Sequence, residues 1–162
     1  MICPRCGNKL TKDNAECSCG IKFSYDSEVD DFILDMSSVK NDSIKELARN
    51  IKACDDNHEA FDVYIPQLIF ELKTSFLLMA AYLNENANPE VRCANFRGKE
   101  MLMLFTSKAE FDKSTDEELP IGIEFREAVK LIEQGLDGFV IDEGSEAIEL
   151  SKGFIEENFR EC

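Results

Sequence analysis

Apolar residues are sparse and isolated at the start of the chain and gathered into periodic runs after it. Up to Phe23 the apolar residues outside cysteine are few, chiefly Ile2, Leu10, Ala15, Ile21 and Phe23. Asn8-Lys9-Leu10 and Ile21-Lys22-Phe23 read as strand material for two short hairpins. Ser24 to Asn41 begins acidic (Tyr25-Asp26-Ser27-Glu28-Val29-Asp30-Asp31) and turns apolar at Phe32, Ile33, Leu34 and Met36. The acidic half predicts a solvated linker, and the apolar half is expected to dock on the body or on a neighbour. Ile44, Leu47, Ala48 and Ile51 then recur at helical spacing, which predicts an amphipathic helix over 43–53. Ser43 with Glu46 three residues on has the form of a capping box. Asp55-Asp56-Asn57 is expected to break this helix, with a further turn over 59–61.

The next runs are read as strands. Val63-Tyr64-Ile65-Pro66 and Leu68-Ile69-Phe70 form an apolar stretch interrupted by a proline, which predicts an edge strand or bulge because proline removes a ladder donor. Ser75–Leu83 fits a buried strand or a short helix by period. Val91–Phe96 and Glu100–Phe105 flank Arg97-Gly98-Lys99, the pattern of a hairpin turn. Thr106-Ser107 should cap a short helix over 108–113. Ile121–Ile123 alternates as a strand, and 124–134 reads as a helix with Phe125, Ala128, Val129, Leu131 and Ile132 inward and Gly135 as its C-cap. Strands at 138–141 and 147–150 and a last helix capped by Ser151, carrying Phe154, Ile155 and Phe159, complete the chain. Strands mixed with three or four helices make an α+β body, a mixed sheet flanked by helices, preceded by a small zinc-ribbon module. The expected division is 1–23 ribbon, 24–41 acidic linker and 42–162 α+β domain.

The head owes its form to cysteine. Cys3-Pro4-Arg5-Cys6-Gly7 and Cys17-Ser18-Cys19-Gly20 hold four of the seven cysteines. A Cys-x-x-Cys turn followed by glycine lets two thiolates converge on one ion while backbone N–H groups face the sulfurs. Cys17 and Cys19 are one residue closer than the usual zinc-ribbon spacing. A closed set of four thiolates favours zinc over harder cations, so Cys3, Cys6, Cys17 and Cys19 are the candidate ligands of a structural Zn2+. The start Met1-Ile2-Cys3-Pro4 lacks the basic and apolar regions of a signal peptide. A reducing, cytoplasmic setting is therefore expected, which disfavours disulfides. A redox Cys-x-x-Cys is the alternative, although such motifs open a helix in a βαβ unit. Metal binding to such a module contributes on the order of 10 kcal/mol to its folding, and Leu10, Ile21 and Phe23 are expected to cap the site on one side.

Charge then narrows the function classes. The 162 residues carry a formal net charge of −15. The first 23 residues have Arg5, Lys9, Lys12 and Lys22 against Asp13 and Glu16, so the acidity belongs to the body. Such a body repels phosphate backbones, which argues against nucleic-acid binding. No apolar run approaches the ~20 residues that cross a bilayer. No glycine-rich phosphate loop is present.

Some of the body's turns and elements are also those of a known family. The strand ending at Phe105-Thr106-Ser107, the short helix with Phe111, the helix over 125–134, and Asp137-Gly138-Phe139-Val140-Ile141-Asp142-Glu143-Gly144-Ser145 followed by Ala147-Ile148-Glu149-Leu150 resemble the N-terminal domain of the SseB family. The resemblance runs from about Phe61 to Phe159. Many members carry Asn-Pro-Gly where this chain has Asp142-Glu143-Gly144, so the glycine alone is shared. The resemblance implies a small cytoplasmic α+β domain with no agreed cofactor and no catalytic residues to carry over; the cysteine head is an addition to it.

The remaining reactive side chains form no recognised constellation. His58 is the single histidine, which excludes a multi-histidine metal site. Cys54 and Cys93 read as small apolar residues rather than nucleophiles. Tyr64, Phe70, Phe76 and Phe105 are expected in the core. These readings point to a non-catalytic binding or adaptor protein that contacts a protein partner or self-associates, its acidic body suited to a basic partner. The alternative is a small-ligand-binding protein or enzyme with a pocket near Phe105–Ser107 and Asp142–Gly144.

Overall fold

Alternation along three strands decides the architecture. In β3 (Phe76–Leu83), β6 (Lys99–Phe105) and β8 (Gly138–Ile141) the run is apolar at every central position, so both faces need cover. The computed structural model describes residues 1–54, 58–85 and 89–159, and it supplies a layer on each face. Leu77, Leu102, Leu104, Phe139 and Ile141 point to one side, where they pack with α1 (Asp42–Ala53), α2 (His58–Lys73), α4 (Phe125–Leu131) and α5 (Lys152–Phe159). Phe76, Leu78, Ala80, Met101, Met103, Phe105 and Val140 point to the other, where they meet Phe111 of α3 (Lys108–Ser114) and the cysteine head.

The sheet is mixed, as expected for an α+β protein. β3 pairs antiparallel with β7 (Leu119–Glu124) along Phe76–Ala81 and with β6 at Leu78–Met79. Beyond that point β4 (Pro89–Val91) pairs with β3 and β5 (Cys93–Phe96) with β6, while the Arg92 amide between them donates to Ala80 O at 2.8 Å. β6 and β8 are parallel, and β9 (Ile148–Ser151) closes the far edge antiparallel to β8. Arg97 and Gly98, both at positive φ (53° and 81°), make the β5–β6 turn. Ser107 accepts from the Glu110 amide as the N-cap of α3. Gly135 is left-handed (φ 108°) after the short 3-10 turn that extends α4.

Several expectations are corrected. Residues 63–70, read as an edge strand or bulge, belong instead to α2 (58–73), with Pro66 inside it, and the further turn expected over 59–61 is part of the same helix. Proline withholds the N–H that the Asp62 carbonyl would accept. Burial of Leu68 and Leu72, with Tyr64 and Ile69 half-buried against the helix-side core, outweighs that loss. Phe70, placed in the core, is 68% exposed, whereas Phe76 and Phe105 are buried. The acidic half of 24–41, expected as a linker, is built into a hairpin, while the apolar half docks on the body as expected. Phe23–Asp26 (β1) and Asp31–Leu34 (β2) pair as a hairpin whose turn holds Asp30 at φ 53°. Phe32, Leu34 and Met36 pack onto the head-side core. The Ser43–Glu46 capping box does not form. Asn41 is the N-cap without a side-chain bond to the helix, and Ser43 Oγ donates to Glu71 at 2.7 Å. Asn41 instead turns inward, its amide donating to Phe76 O (2.9 Å) and Thr106 O (3.0 Å), thereby tying β3 to the end of β6. Asp55-Asp56-Asn57, expected as a helix break, lie outside the described residues.

Candidate metal centre

The head folds around its two cysteine turns. Cys3 N donates to Asn8 O and Gly7 N to Cys3 O; Gly20 N donates to Cys17 O and Cys17 N to Ile21 O. Gly7 (φ 75°) and Gly20 (φ 92°) take the left-handed backbone that each turn needs. Backbone amides favour the thiolate forms: those of Cys6 and Arg5 act on Cys3, that of Cys19 on Cys17 and that of Ile21 on Cys19. The shorter Cys17-Ser18-Cys19 turn therefore aims its sulfurs inward as the longer one does. Asn8 Nδ2 to Ser18 Oγ, at 2.9 Å, links the two turns.

All four sulfurs lie within 4.8 Å of one another. Cys3 Sγ is 3.6 Å from Cys19 Sγ, and Cys6 Sγ is 3.2 Å from Cys17 Sγ. Tetrahedral thiolates about 2.3 Å from an ion stand about 3.8 Å apart, so a small contraction or expansion fits a metal to this cluster. Electrostatics agree with the need for a cation. The Cys19 amide and neighbouring thiols pull Cys17 down to about 6, while burial pushes Cys19 up to about 12 and also raises Cys3. Without a positive charge among them, the four cannot all be thiolates near neutral pH. Cys3 and Cys17 are buried and Cys6 is exposed.

Leu10, Ile21 and Phe23 are buried beside the cluster, as the sequence predicts, but their cover comes from the sheet. They share one apolar layer with Cys3, Cys17, Phe76, Met101, Met103 and Phe105. Gly122 in β7 marks a close approach of the hairpin to the sheet: a Cβ there would lie 2.6 Å from the Phe76 ring and 2.7 Å from Leu34 Cδ2.

At the other candidate location, the turns after β6 and β8, the structure builds a closed polar network. Asp142, at φ 53° and 3% exposed, accepts from Thr106 N (2.9 Å) and Thr106 Oγ1 (2.5 Å). Burial, opposed by these two bonds, leaves its pKa raised. Glu110 accepts from Lys45 Nζ at 2.6 Å, Ser145 Oγ at 2.7 Å and Lys113 Nζ at 3.0 Å. Burial opposes its ionisation, but the Lys45, Ser145 and Lys113 bonds outweigh it and bring the carboxyl down to about 2. A Cβ on Gly144 would sit 2.4 Å from Ser114 Oγ, so the turn leaves little room there for a side chain. Thr106 and Asp142 are spent on each other and Glu110 on Lys45, Lys113 and Ser145, the three at 0–3% exposure.

Sequence reasoning did not single out Asn41, Lys45 or Glu110. The helix-start position of Asn41 was the available signal; Glu110 is one carboxylate among 33. Cys54 caps the end of α1 and Cys93 opens β5, both half-buried. His58 opens α2, and its side chain lies outside the described residues.

The fold and the cluster together define a class: a mixed-sheet α+β protein with a four-thiol head of metal-site geometry packed against the sheet. The family model described as the SseB protein N-terminal domain matches residues 70–157, more than half of the chain. The chain belongs to the SseB family. The match runs from the last turn of α2 into α5, so the head, the β1–β2 hairpin, α1 and most of α2 precede it. No curated protein and no solved structure matches the chain. Among the described residues no helix is long and apolar enough to cross a membrane.

Proposed function

We propose that this chain is a non-catalytic cytoplasmic adaptor: an SseB-like domain over 42–162 that contacts a protein partner, stabilised and extended by a structural zinc ribbon over 1–23. Cys3, Cys6, Cys17 and Cys19 hold the Zn2+. The observation that carries the reading is the placement of the four-thiol cluster against the apolar layer that covers the sheet, with Cys3, Cys17 and Cys19 packed into that layer and Cys6 at its surface. A metal there organises a covering layer and leaves no protein-free coordination position for chemistry. The small-ligand alternative at Phe105–Ser107 and Asp142–Gly144 is disfavoured, because the buried polar groups at those turns already bond to each other. A net charge of −15 suits a basic partner.

Two measurements test the reading. Metal analysis of purified protein should return one zinc per chain, and Cys3→Ser/Cys6→Ser should abolish it; a ratio well below one, with folding unchanged on chelation, overturns the zinc assignment. Cross-linking of the tagged chain in its own cells should recover a defined protein neighbour. Absence of any such neighbour, together with a metabolite that protects residues 106–107 and 142–145 in solution, overturns the adaptor assignment.

A further inference from the structure

Helix α2 is apolar on more sides than the fold uses. Leu68 and Leu72 are buried, and Tyr64, Ile65 and Ile69 are half-buried. Val63 (54%) and Phe70 (68%) nevertheless stand exposed, with Pro66 between them. Val63, Pro66 and Phe70 fall at i, i+3 and i+7, one stripe of the helix. A helix apolar beyond its buried face has a second surface still to cover.

Beside this stripe runs a groove of about 480 Å³ between α1 and α2. Ser43, Glu46, Leu47 and Asn50 form its α1 wall, again at i, i+3, i+4 and i+7. The α2 wall is Pro66, Gln67, Phe70 and Glu71. The floor is apolar through Leu47, Pro66 and Phe70. Among the described residues, the charged side chains lining it are Glu46 and Glu71, one from each helix. Among the described residues neither forms an ion pair. Glu71 accepts one neutral bond, from Ser43. Apolar anchors flanked by two unneutralised carboxylates match a helix with an apolar stripe and basic flanks. A helix laid in a two-helix groove reads such a surface through anchors at i, i+3, i+4 and i+7.

We propose that the α1–α2 groove is the partner-docking surface, and that its occupant is a basic amphipathic helix of another protein. An apolar residue of that helix packs on Phe70, and Lys or Arg side chains on either flank meet Glu46 and Glu71. A second copy of this chain fits less well, since its own α2 would bring Glu71 and Asp62 toward the same carboxylates. The proposal rests on the adaptor reading only for the existence of a partner; it fixes the place and chemistry of contact.

The test uses the full zinc-loaded chain and a fluorescent amphipathic helical peptide of leucine and lysine, with its leucine–glutamate counterpart as control. Anisotropy should show saturable binding of the basic peptide only. Phe70→Ser should weaken it about tenfold or more, as for a central apolar anchor. Glu46→Gln/Glu71→Gln should weaken it several-fold at low salt and less at high salt. Glu28→Gln/Glu117→Gln, which removes the same charge from exposed residues elsewhere, should leave affinity unchanged. Hydrogen exchange should report protection over 42–53 and 61–73. Equal weakening by both carboxylate pairs means general acidity binds the peptide and overturns the proposal. No weakening by Phe70→Ser, or a dimer of the free chain that Phe70→Ser dissociates, also overturns it. A partner that cross-links only to the head would sink the groove and leave the adaptor reading standing.

Discussion

Replacing Glu110 with glutamine is expected to cost stability that depends on pH in a defined direction. Glu110 is buried at the end of α1 and α3, held by Lys45, Lys113 and Ser145, and its carboxyl is brought from 4.5 down to about 2. A carboxyl whose pKa is lower in the folded state than in the unfolded chain stabilises the fold above the unfolded value. That contribution disappears as pH falls through the folded one. The gap from 4.5 to about 2 corresponds to about 3 kcal/mol at pH 7. The same linkage leaves about 1.4 kcal/mol at pH 3 and close to none below about pH 1.5. Lys113 is half exposed, so part of its share is screened by salt. Lys45 is 21% exposed and carries the larger part.

The assay is urea unfolding of the wild type and Glu110→Gln at pH 7, 5, 4 and 3. Glutamine retains the shape and can still bond Ser145, so the difference between the two proteins isolates the charge. Asp142 works in the opposite sense. Burial raises its pKa and the nearby Glu110 charge adds to this, so removing that charge eases Asp142 ionisation and slightly reduces the difference near neutrality. The stability gap should be largest at pH 7 and 5 and should shrink below pH 4.5. A gap that stays constant down to pH 3, or one below about 0.5 kcal/mol at pH 7, the scale of an exposed pair, refutes the reasoning.

Two further substitutions probe how the layers are joined. Gly122→Ala should destabilise by about 1–3 kcal/mol, because the new methyl collides with Phe76 and with Leu34 of the hairpin; chemical denaturation checks this, and an unchanged midpoint would show that the hairpin does not press on β7. Asn41→Leu should cost about 1–3 kcal/mol by leaving the Phe76 and Thr106 carbonyls buried without their donor, read as a lowered Tm with faster exchange of β3 and β6 amides. Chelation of the metal should increase binding of a hydrophobic dye, since the residues released are those that cover Met101, Met103 and Phe105.

Legibility in the sequence follows the range of the interaction that fixes each element. The β5–β6 turn, the Ser107 cap, the Gly135 C-cap and the cysteine turns are set by neighbours a few residues apart, and their chemistry shows in the letters. Helix α2 was open to reading as well. Phe61, Tyr64, Leu68 and Leu72 are spaced 3, 4 and 4, yet a proline amid aromatic and branched residues argues for a strand until Leu68 and Leu72 are seen against the sheet. Phe32, Leu34 and Met36 alternate at period 2, a strand signal obscured by the acidic turn before them. The Glu110 and Asp142 networks could not be read, because Lys45 and Glu110 are 65 residues apart and Thr106 and Asp142 are 36 apart. Only the fold chooses those carboxylates from the 33 available.

The two halves of the molecule each lack something the other supplies. A sheet with Phe76, Leu78, Met101, Met103, Phe105 and Val140 on one face would expose a broad apolar surface if α3 were its only cover. The head has Leu10, Ile21 and Phe23 and is too small to bury them within itself. Set against each other, both surfaces leave water, and burial of Cys3 and Cys17 shields two of the four sulfurs. Metal binding at these cysteines, as proposed, would then stabilise more than the head, because the head conformation it selects would be the one shaped to the sheet. On the proposed reading the four cysteines act on the family domain through packing: loss of the ion would be felt at Met103 and Phe105, in the centre of the sheet.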